Sequence, residues 1–184
     1  CEPQASGLGG QSMGIIHVDG KSYAIDGSSR SPSLANSSVY ANKKNRRFGY
    51  KATTVPSTLA LIGFLHERYG RLEWQKIVAP SISIAKKGYR ITQLQHDLQE
   101  REKENFLSIK SKSGARYFLK DGLESYDVGD RFVQEDLAET FTAISEYGYR
   151  VFYQGEIAKK IVQDMKKNKG LIQEEDLAYI PEPL

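Results

Sequence analysis

The chain has 184 residues, of which 39% are hydrophobic and 27% charged, and its 26 basic and 23 acidic side chains give a net charge of +3. This length and apolar content suffice for one domain with a real core, and no apolar run approaches the roughly 18 residues of a membrane helix. The scattered charge argues against a nucleic-acid face, and the single cysteine excludes an internal disulfide while leaving a cytoplasmic, secreted or periplasmic location open.

Residues 1–27 are predicted to be a strand region. Residues 13–18 and 21–25 are short, partly alternating runs separated by Asp19-Gly20, a dipeptide that accepts the positive φ of a tight hairpin turn. Gly7, Gly9 and Gly10 precede them. Because a strand rather than a helix follows these glycines, and no Lys-Ser/Thr pair does, we expect a tight turn there and not a phosphate-binding loop.

Residues 28–54 are predicted to form a long loop, because they are rich in Ser, Asn and basic residues and show little periodicity. Loops of this length are usually functional or disordered. The densest basic cluster of the chain, Lys43-Lys44-Asn45-Arg46-Arg47, lies in this loop, and the simplest interpretation is a solvated surface segment.

Residues 55–180 are predicted to be the helical region. The first helix has Leu59, Ile62, Leu65 or His66, and Tyr69 on one face, with Ser57 or Thr58 as its cap and Gly70 as its stop.

Further helices are expected after this one. Residues 74–88 form a helix that Pro80 either kinks or starts afresh. A solvated helix capped by Thr92 has Leu94 and Leu98 as its apolar positions, and residues 117–119 are expected to be a short strand or turn piece. Two more amphipathic helices end at Gly148 and before Gly170, which gives about five helices and two strands in all.

Several spaced motifs point to one family. They are Glu2-Pro3 with Ser6-Gly7-Leu8-Gly9-Gly10, Tyr23-Ala24-Ile25-Asp26 with Pro32, the block from Val55-Pro56 through Trp74 to Pro80, Gly129-Asp130, Phe152-Tyr153-Gln154-Gly155, and Asp176-Leu177-Ala178-Tyr179. In this order they resemble the large subunit of the γ-glutamyltransferases, which are N-terminal-nucleophile hydrolases.

The resemblance implies an α+β fold that is part of a four-layer αββα sandwich, whose central sheets are shared by strands of the large and small subunits. Residues 1–184 would then be a single partial domain, mostly helical with its hairpin near the N-terminus. A hairpin alone buries too little surface to outweigh chain entropy. We therefore expect the chain, when isolated, to be only partly folded or prone to associate.

The chemistry that the resemblance implies is transfer of a γ-glutamyl or related acyl group from an amide to water or an amine. The family's nucleophile is a threonine freed at the start of the small subunit when the precursor cuts itself. Cys1 is a weak alternative as an N-terminal nucleophile, because it stands where the family has an apolar residue. We expect no catalytic residue in this chain, no cofactor and no metal site; the expected partners are the small subunit and an amide substrate, with a homo-oligomer possible.

One binding position departs from the family pattern. The family places an arginine two residues after the Asp of the second strand, where it grips the substrate's α-carboxylate. That position is Ser28 here, and an arginine follows as Arg30. Either Arg30 reaches the site through a shifted loop, or Arg30 is a surface residue and the protein is an acylase that does not select γ-glutamyl groups. A non-catalytic helical interaction module is the remaining alternative.

Overall fold

The computed structural model describes residues 6–110 and 112–179. Within them the chain forms four strands and nine α-helices, in an order that begins with β-structure and continues mainly as helix. The strands are β1 (Ser12–Val18), β2 (Lys21–Gly27), β3 (Tyr89–Arg90) and β4 (Arg131–Phe132). The helices are α1 (Ser37–Ala41), α2 (Thr58–Tyr69), α3 (Trp74–Lys87), α4 (Gln93–Ser108), α5 (Ser113–Phe118), α6 (Glu135–Tyr147), α7 (Val151–Gln154), α8 (Glu156–Lys167) and α9 (Glu174–Ala178).

The predicted hairpin is confirmed. β1 and β2 pair antiparallel from Ser12↔Gly27 to Val18↔Lys21. Asp19 and Gly20 connect them with φ angles of 51° and 74°, which is the left-handed conformation that a two-residue hairpin turn requires. The hairpin therefore has a fixed register, and the end of β2 lies beside the start of β1.

The described residues pack as two compact units. One unit comprises Gly7–Ile77 together with the segment from Ala143 onward. Its core contains residues of α2, α6, α7 and α9, and the Trp74 indole donates a hydrogen bond to the Ile144 carbonyl at 2.8 Å. Gly63 is buried in α2 and faces the Tyr149 ring, which occupies the space that a side chain at Gly63 would need.

The other unit is built mainly from Val78–Thr142. Its core surrounds Phe132, which is 1% exposed and lies 5.2 Å from the Tyr126 ring and 5.7 Å from the Tyr89 ring. β3 and β4 pair here. Gly88 ends α3, as the sequence predicts, with a φ of 73°, and a Cβ at this position would stand 2.7 Å from the Phe132 carbonyl oxygen.

The structure corrects two of the local predictions in this unit. Residues 117–119 are not a strand: α5 continues to Phe118, and Ala115 and Leu119, four residues apart, are each 1% exposed. The helix α4 is solvated at Leu94, which is 59% exposed, but the two predicted apolar positions do not form its buried side. The buried residues of α4 are Gln95 and Gln99, and the Gln99 side chain accepts a hydrogen bond from the Tyr126 amide at 3.1 Å.

Two further features differ from the sequence expectations in detail. Pro80 lies inside a continuous α3, so it neither ends nor restarts the helix. The segment 28–54 contains α1 and a 3₁₀ turn at Lys43–Arg46, both started by asparagine side chains, Asn36 and Asn42. Local Asx caps give order to a stretch in which hydrophobic periodicity is weak.

Candidate functional site

The end of β2 is held against the start of α2. The Ser57 hydroxyl donates to the Gly27 carbonyl at 2.5 Å, although Ser57 stands at the N-cap position and makes no side-chain cap to its own helix. A Cβ at Gly27 would meet the Ser12 carbonyl at 2.8 Å and the Leu61 Cβ at 2.9 Å. Glycine is thus needed here for close approach, and this contact fixes where residue 28 leaves the sheet.

The glycine-rich turn supplies the cap that Ser57 does not. The Gly10 amide donates to the Gly7 carbonyl at 3.1 Å, and the Gly10 carbonyl accepts from the amides of Ser57 and Thr58 at 3.0 and 3.2 Å. The Tyr153 hydroxyl accepts from the Ala60 amide at 3.1 Å. The first amides of α2, which have no partner within the helix, are therefore bound by other elements.

Ser28, the position of the family's arginine, is engaged in a local turn. Its amide and hydroxyl both donate to Asp26 Oδ1, at 2.9 and 2.6 Å. These bonds, the hydroxyl bond first, hold the pKa of the exposed Asp26 carboxyl below its usual value. Ser29 donates in the same way, from its amide and hydroxyl, to the Gln11 side-chain oxygen. The two serines are themselves neutral, and the hydrogen-bonded corner that they form at the end of β2 includes the Asp26 carboxylate.

Arg30 turns toward the last described helix. Its Nη2 donates to the carbonyls of Asp176 and Tyr179 at 2.9 and 2.5 Å, and its guanidinium lies 5.0 Å from the centre of the Tyr179 ring. A cation at the C-terminal end of a helix satisfies carbonyls that lack helical partners. Both bidentate ways of gripping a carboxylate use Nη2, paired with either Nε or Nη1. With Nη2 bound to the two carbonyls, Nε and Nη1 remain only as separate, single donors.

The Asp176-Leu177-Ala178-Tyr179 motif packs into the core of its unit and binds the loop that follows β2. Leu177 is fully buried. The Asp176 carboxylate accepts from the Ser33 amide at 2.8 Å and from the Gln173 amide at 2.9 Å, the second bond being part of a capping box. The loop that follows β2 is thus bound to α9 through both Arg30 and Ser33. No sequence signal indicates these contacts, because the partners lie more than 140 residues apart.

The outward face of the hairpin carries large apolar side chains. Met13 is 74% exposed and Ile15 is 85% exposed. Ile15 pairs with Ala24 and Met13 pairs with Asp26 in the register, and residues two apart in a strand point to the same face. Met13, Ile15 and Ala24, here called the apolar face, therefore share their side of the hairpin with the polar residues His17, Ser22 and Asp26. On the opposite side, Gly14 and Gly27 approach Leu65 and Leu61 of α2.

Within residues 6–110 and 112–179, no group of three or more His, Cys, Asp or Glu side chains is arranged to hold a metal ion. The histidines make separate hydrogen bonds; His66 Nε2, for example, lies 2.9 Å from the Leu72 carbonyl oxygen. None of the helices in this part of the chain is long and apolar enough to cross a membrane. Cys1, Glu2 and Pro3 lie outside the described residues.

The comparisons with known proteins agree with one another. The family model described as Gamma-glutamyltranspeptidase matches residues 1–180. A glutathione hydrolase proenzyme of Pseudomonas sp. (strain A14) is 32% identical over 182 residues, which is 95% of this chain and 31% of that protein. The chain therefore spans about a third of the length of the curated relatives it matches.

Solved structures give the same result. The γ-glutamyltranspeptidase of Helicobacter pylori superimposes with a TM-score of 0.92 at 36% identity, covering 98% of this chain and 53% of that one. The cephalosporin acylase of Bacillus halodurans superimposes with a TM-score of 0.88 at 27% identity, covering 100% of this chain and 35% of that one. The predicted fold class is confirmed, and the chain belongs to the γ-glutamyltranspeptidase family.

Proposed function

We propose that this chain is the large-subunit portion of a γ-glutamyltransferase-like acyltransferase or amide hydrolase. The observation that carries the proposal is the family match over residues 1–180, supported by relatives that bear the name glutathione hydrolase proenzyme. The reaction transfers an acyl group, γ-glutamyl or related, to water or an amine. Its nucleophile is a threonine at the start of the small subunit, so this chain frames the site and holds no attacking group.

The apolar face is the proposed docking surface for that small subunit. Met13 and Ile15 point away from α2 and are mostly exposed, whereas the other side of the hairpin packs against Leu61 and Leu65. A sheet with one face on a helix and an apolar second face is suited to stack on another sheet. Strands of the small subunit would bury these side chains, in agreement with the sandwich that the resemblance implies.

Ser28 and Arg30 are the proposed substrate-binding residues. Ser28 leaves β2 at the point where the family has its carboxylate-binding arginine, and its side chain is neutral. Arg30 brings a positive charge close to this corner but commits Nη2 to two backbone carbonyls. The grip on an α-carboxylate would then be a single contact, which favours a broader acyl specificity. The likeness to the cephalosporin acylase supports this acylase variant of the function.

The first prediction concerns processing. Intact-mass analysis of the full-length protein is expected to show two polypeptides, the smaller one beginning with threonine, because a free α-amine beside the hydroxyl is needed to activate the nucleophile. Replacing that threonine with alanine is the control and should leave a single uncut chain. An uncut wild-type chain without amide hydrolase activity would favour the helical interaction module.

The second prediction concerns the apolar face. In the intact protein, Ile15→Lys is expected to prevent stable association of the subunits, because burying an unpaired ammonium between sheets costs several kcal/mol. Leu72→Lys is the matched control, since Leu72 is 64% exposed in the same unit but lies outside the hairpin. Size-exclusion chromatography checks both variants. Equal behaviour of the two would remove the hairpin from the subunit interface.

The third prediction concerns Arg30. Arg30→Ala is expected to raise the KM for γ-glutamyl-p-nitroanilide about tenfold, the loss of one hydrogen bond to a charged group, and Arg30→Lys should recover part of it. Arg68→Ala is the control, because Arg68 also lies over an aromatic ring, 4.5 Å from the centre of Phe64. An unchanged KM combined with a lower unfolding temperature would leave Arg30 with its structural role alone.

The fourth prediction concerns Ser28. Ser28→Arg restores the family's cation and is expected to raise the ratio of kcat/KM for γ-glutamyl-p-nitroanilide over that for a neutral acyl-p-nitroanilide by about tenfold. Ser29→Arg adds the same charge one residue away and serves as the control. If the two variants changed the ratio equally, residue 28 would have no special position in the acyl pocket.

A further inference from the structure

One stretch of the chain lacks acidic side chains and therefore carries the net positive charge of this protein. Residues 27–66 contain six basic side chains, namely Arg30, Lys43, Lys44, Arg46, Arg47 and Lys51, and no Asp or Glu. The rest of the chain has 20 basic and 23 acidic side chains. The excess positive charge therefore belongs to this stretch, and four of its six cations lie in Lys43–Arg47, here called the basic turn.

The basic turn is a built structure within the long loop. The Asn42 side chain accepts from the Lys44 amide at 3.1 Å, and the Asn45 side chain donates to the Val39 carbonyl at 2.6 Å. Arg46 donates from Nε to the Tyr40 carbonyl at 2.8 Å. These bonds hold the turn against α1, so the cations are displayed from a fixed backbone.

The two ends of the loop are hydrogen-bonded to each other beside the candidate site. The Val55 amide donates to the Arg30 carbonyl at 2.9 Å, and this bridge closes the loop beside Ser28. The Tyr40 hydroxyl also donates to the Lys51 carbonyl at 3.1 Å, which joins the two sides of the loop above the bridge. The basic turn and the proposed acyl-binding corner therefore belong to one hydrogen-bonded segment of the same unit.

The cations of the basic turn are exposed and available to an external anion. Lys43, Lys44, Arg46 and Arg47 are all exposed. In the part of the chain that the structure describes, every ion pair is formed by residues outside this turn. Phe48, directly after the turn, is 43% exposed and offers an apolar contact beside the charges.

The pattern of charge favours a short acidic ligand. A 3₁₀ turn has three residues per turn, so Lys43 and Arg46, the first and last residues of the turn, lie on the same side and are able to bind one carboxylate. Lys44 and the C-cap residue Arg47 add two further cations. An extended polyanion such as a nucleic acid or a membrane surface needs a broad basic field, whereas the chain outside residues 27–66 carries more acidic than basic side chains.

We propose that the basic turn is a binding site for acidic peptides, through which the enzyme selects amide substrates that carry further carboxylates beyond the acyl group. This inference rests on the proposed acyl-transfer function and adds a substrate class to it. Ser28 provides no cation to select the acyl group. The cations along the loop would then supply part of the substrate specificity of the enzyme.

Fluorescence anisotropy with a labelled N-acetyl-tetraglutamate peptide, bound to the intact processed protein, tests the proposal. The variant Lys43→Gln/Lys44→Gln/Arg47→Gln leaves Arg46 in place to hold Tyr40. It is expected to weaken binding roughly tenfold at low ionic strength, since three exposed charge contacts are lost and each contributes only modestly. Lys160→Gln/Lys166→Gln/Lys167→Gln removes the same charge from exposed positions of α8 in the same unit and is expected to retain wild-type affinity.

Three outcomes would overturn the proposal. They are equal weakening in both triple variants, unchanged binding in the basic-turn variant, and a preference of the basic turn for phosphatidylserine vesicles or single-stranded DNA over the peptide. Hydrolysis of γ-glutamyl-p-nitroanilide is measured in parallel and should be unchanged in the basic-turn variant. If the protein bound the peptide but hydrolysed no amide, both the proposed function and the substrate role of the basic turn would be overturned. If the protein hydrolysed the amide and the basic-turn variant bound the peptide as tightly as the wild type, only the basic-turn proposal would be overturned.

Discussion

The capping of α2 is the interaction on which the candidate site depends. The helix needs partners for its first amides, and it takes them from the Gly10 carbonyl and the Tyr153 hydroxyl rather than from its own Ser57 side chain. Ser57 is thereby free to donate to the Gly27 carbonyl. One helix terminus thus joins the glycine-rich turn, the end of β2 and α7, and each of these contacts involves a backbone group or a buried hydroxyl.

The chemistry at the end of β2 follows from this arrangement. The hydrogen bond from the Ser57 hydroxyl, here called the clamp, acts on the backbone carbonyl of Gly27. The direction of the backbone at residue 28 is therefore fixed whatever side chain stands there. A substitution at residue 28 can therefore change the polarity of the corner without moving it. Arg30 lies beyond the clamp, and its Nη2 is directed to α9 by the carbonyls of Asp176 and Tyr179. The chain keeps the framework of the family while its cations are placed differently.

Local features of this fold could be predicted from the sequence, and long-range ones could not. Asp19-Gly20 specifies the hairpin turn by its backbone preference alone, and Thr92 caps α4 as expected. The buried face of α4 was not predictable by hydrophobicity, because Gln99 is buried to bind the Tyr126 amide. The contact of Arg30 with α9 joins residues 146 positions apart, and no local pattern specifies such a pairing.

The two faces of the hairpin differ in how they contribute to the stability of the site. The inner side of the hairpin approaches α2 through Gly14 and Gly27, which contribute little apolar area of their own, and it buries the side chain of Ile25, which is 7% exposed. The larger side chains, Met13 and Ile15, are on the apolar face and gain from burial only when another surface covers them. The corner that carries Ser28 and Arg30 is therefore held in place by hydrogen bonds within this chain, whereas the exposed side of the hairpin beneath it would gain apolar burial from the proposed small subunit.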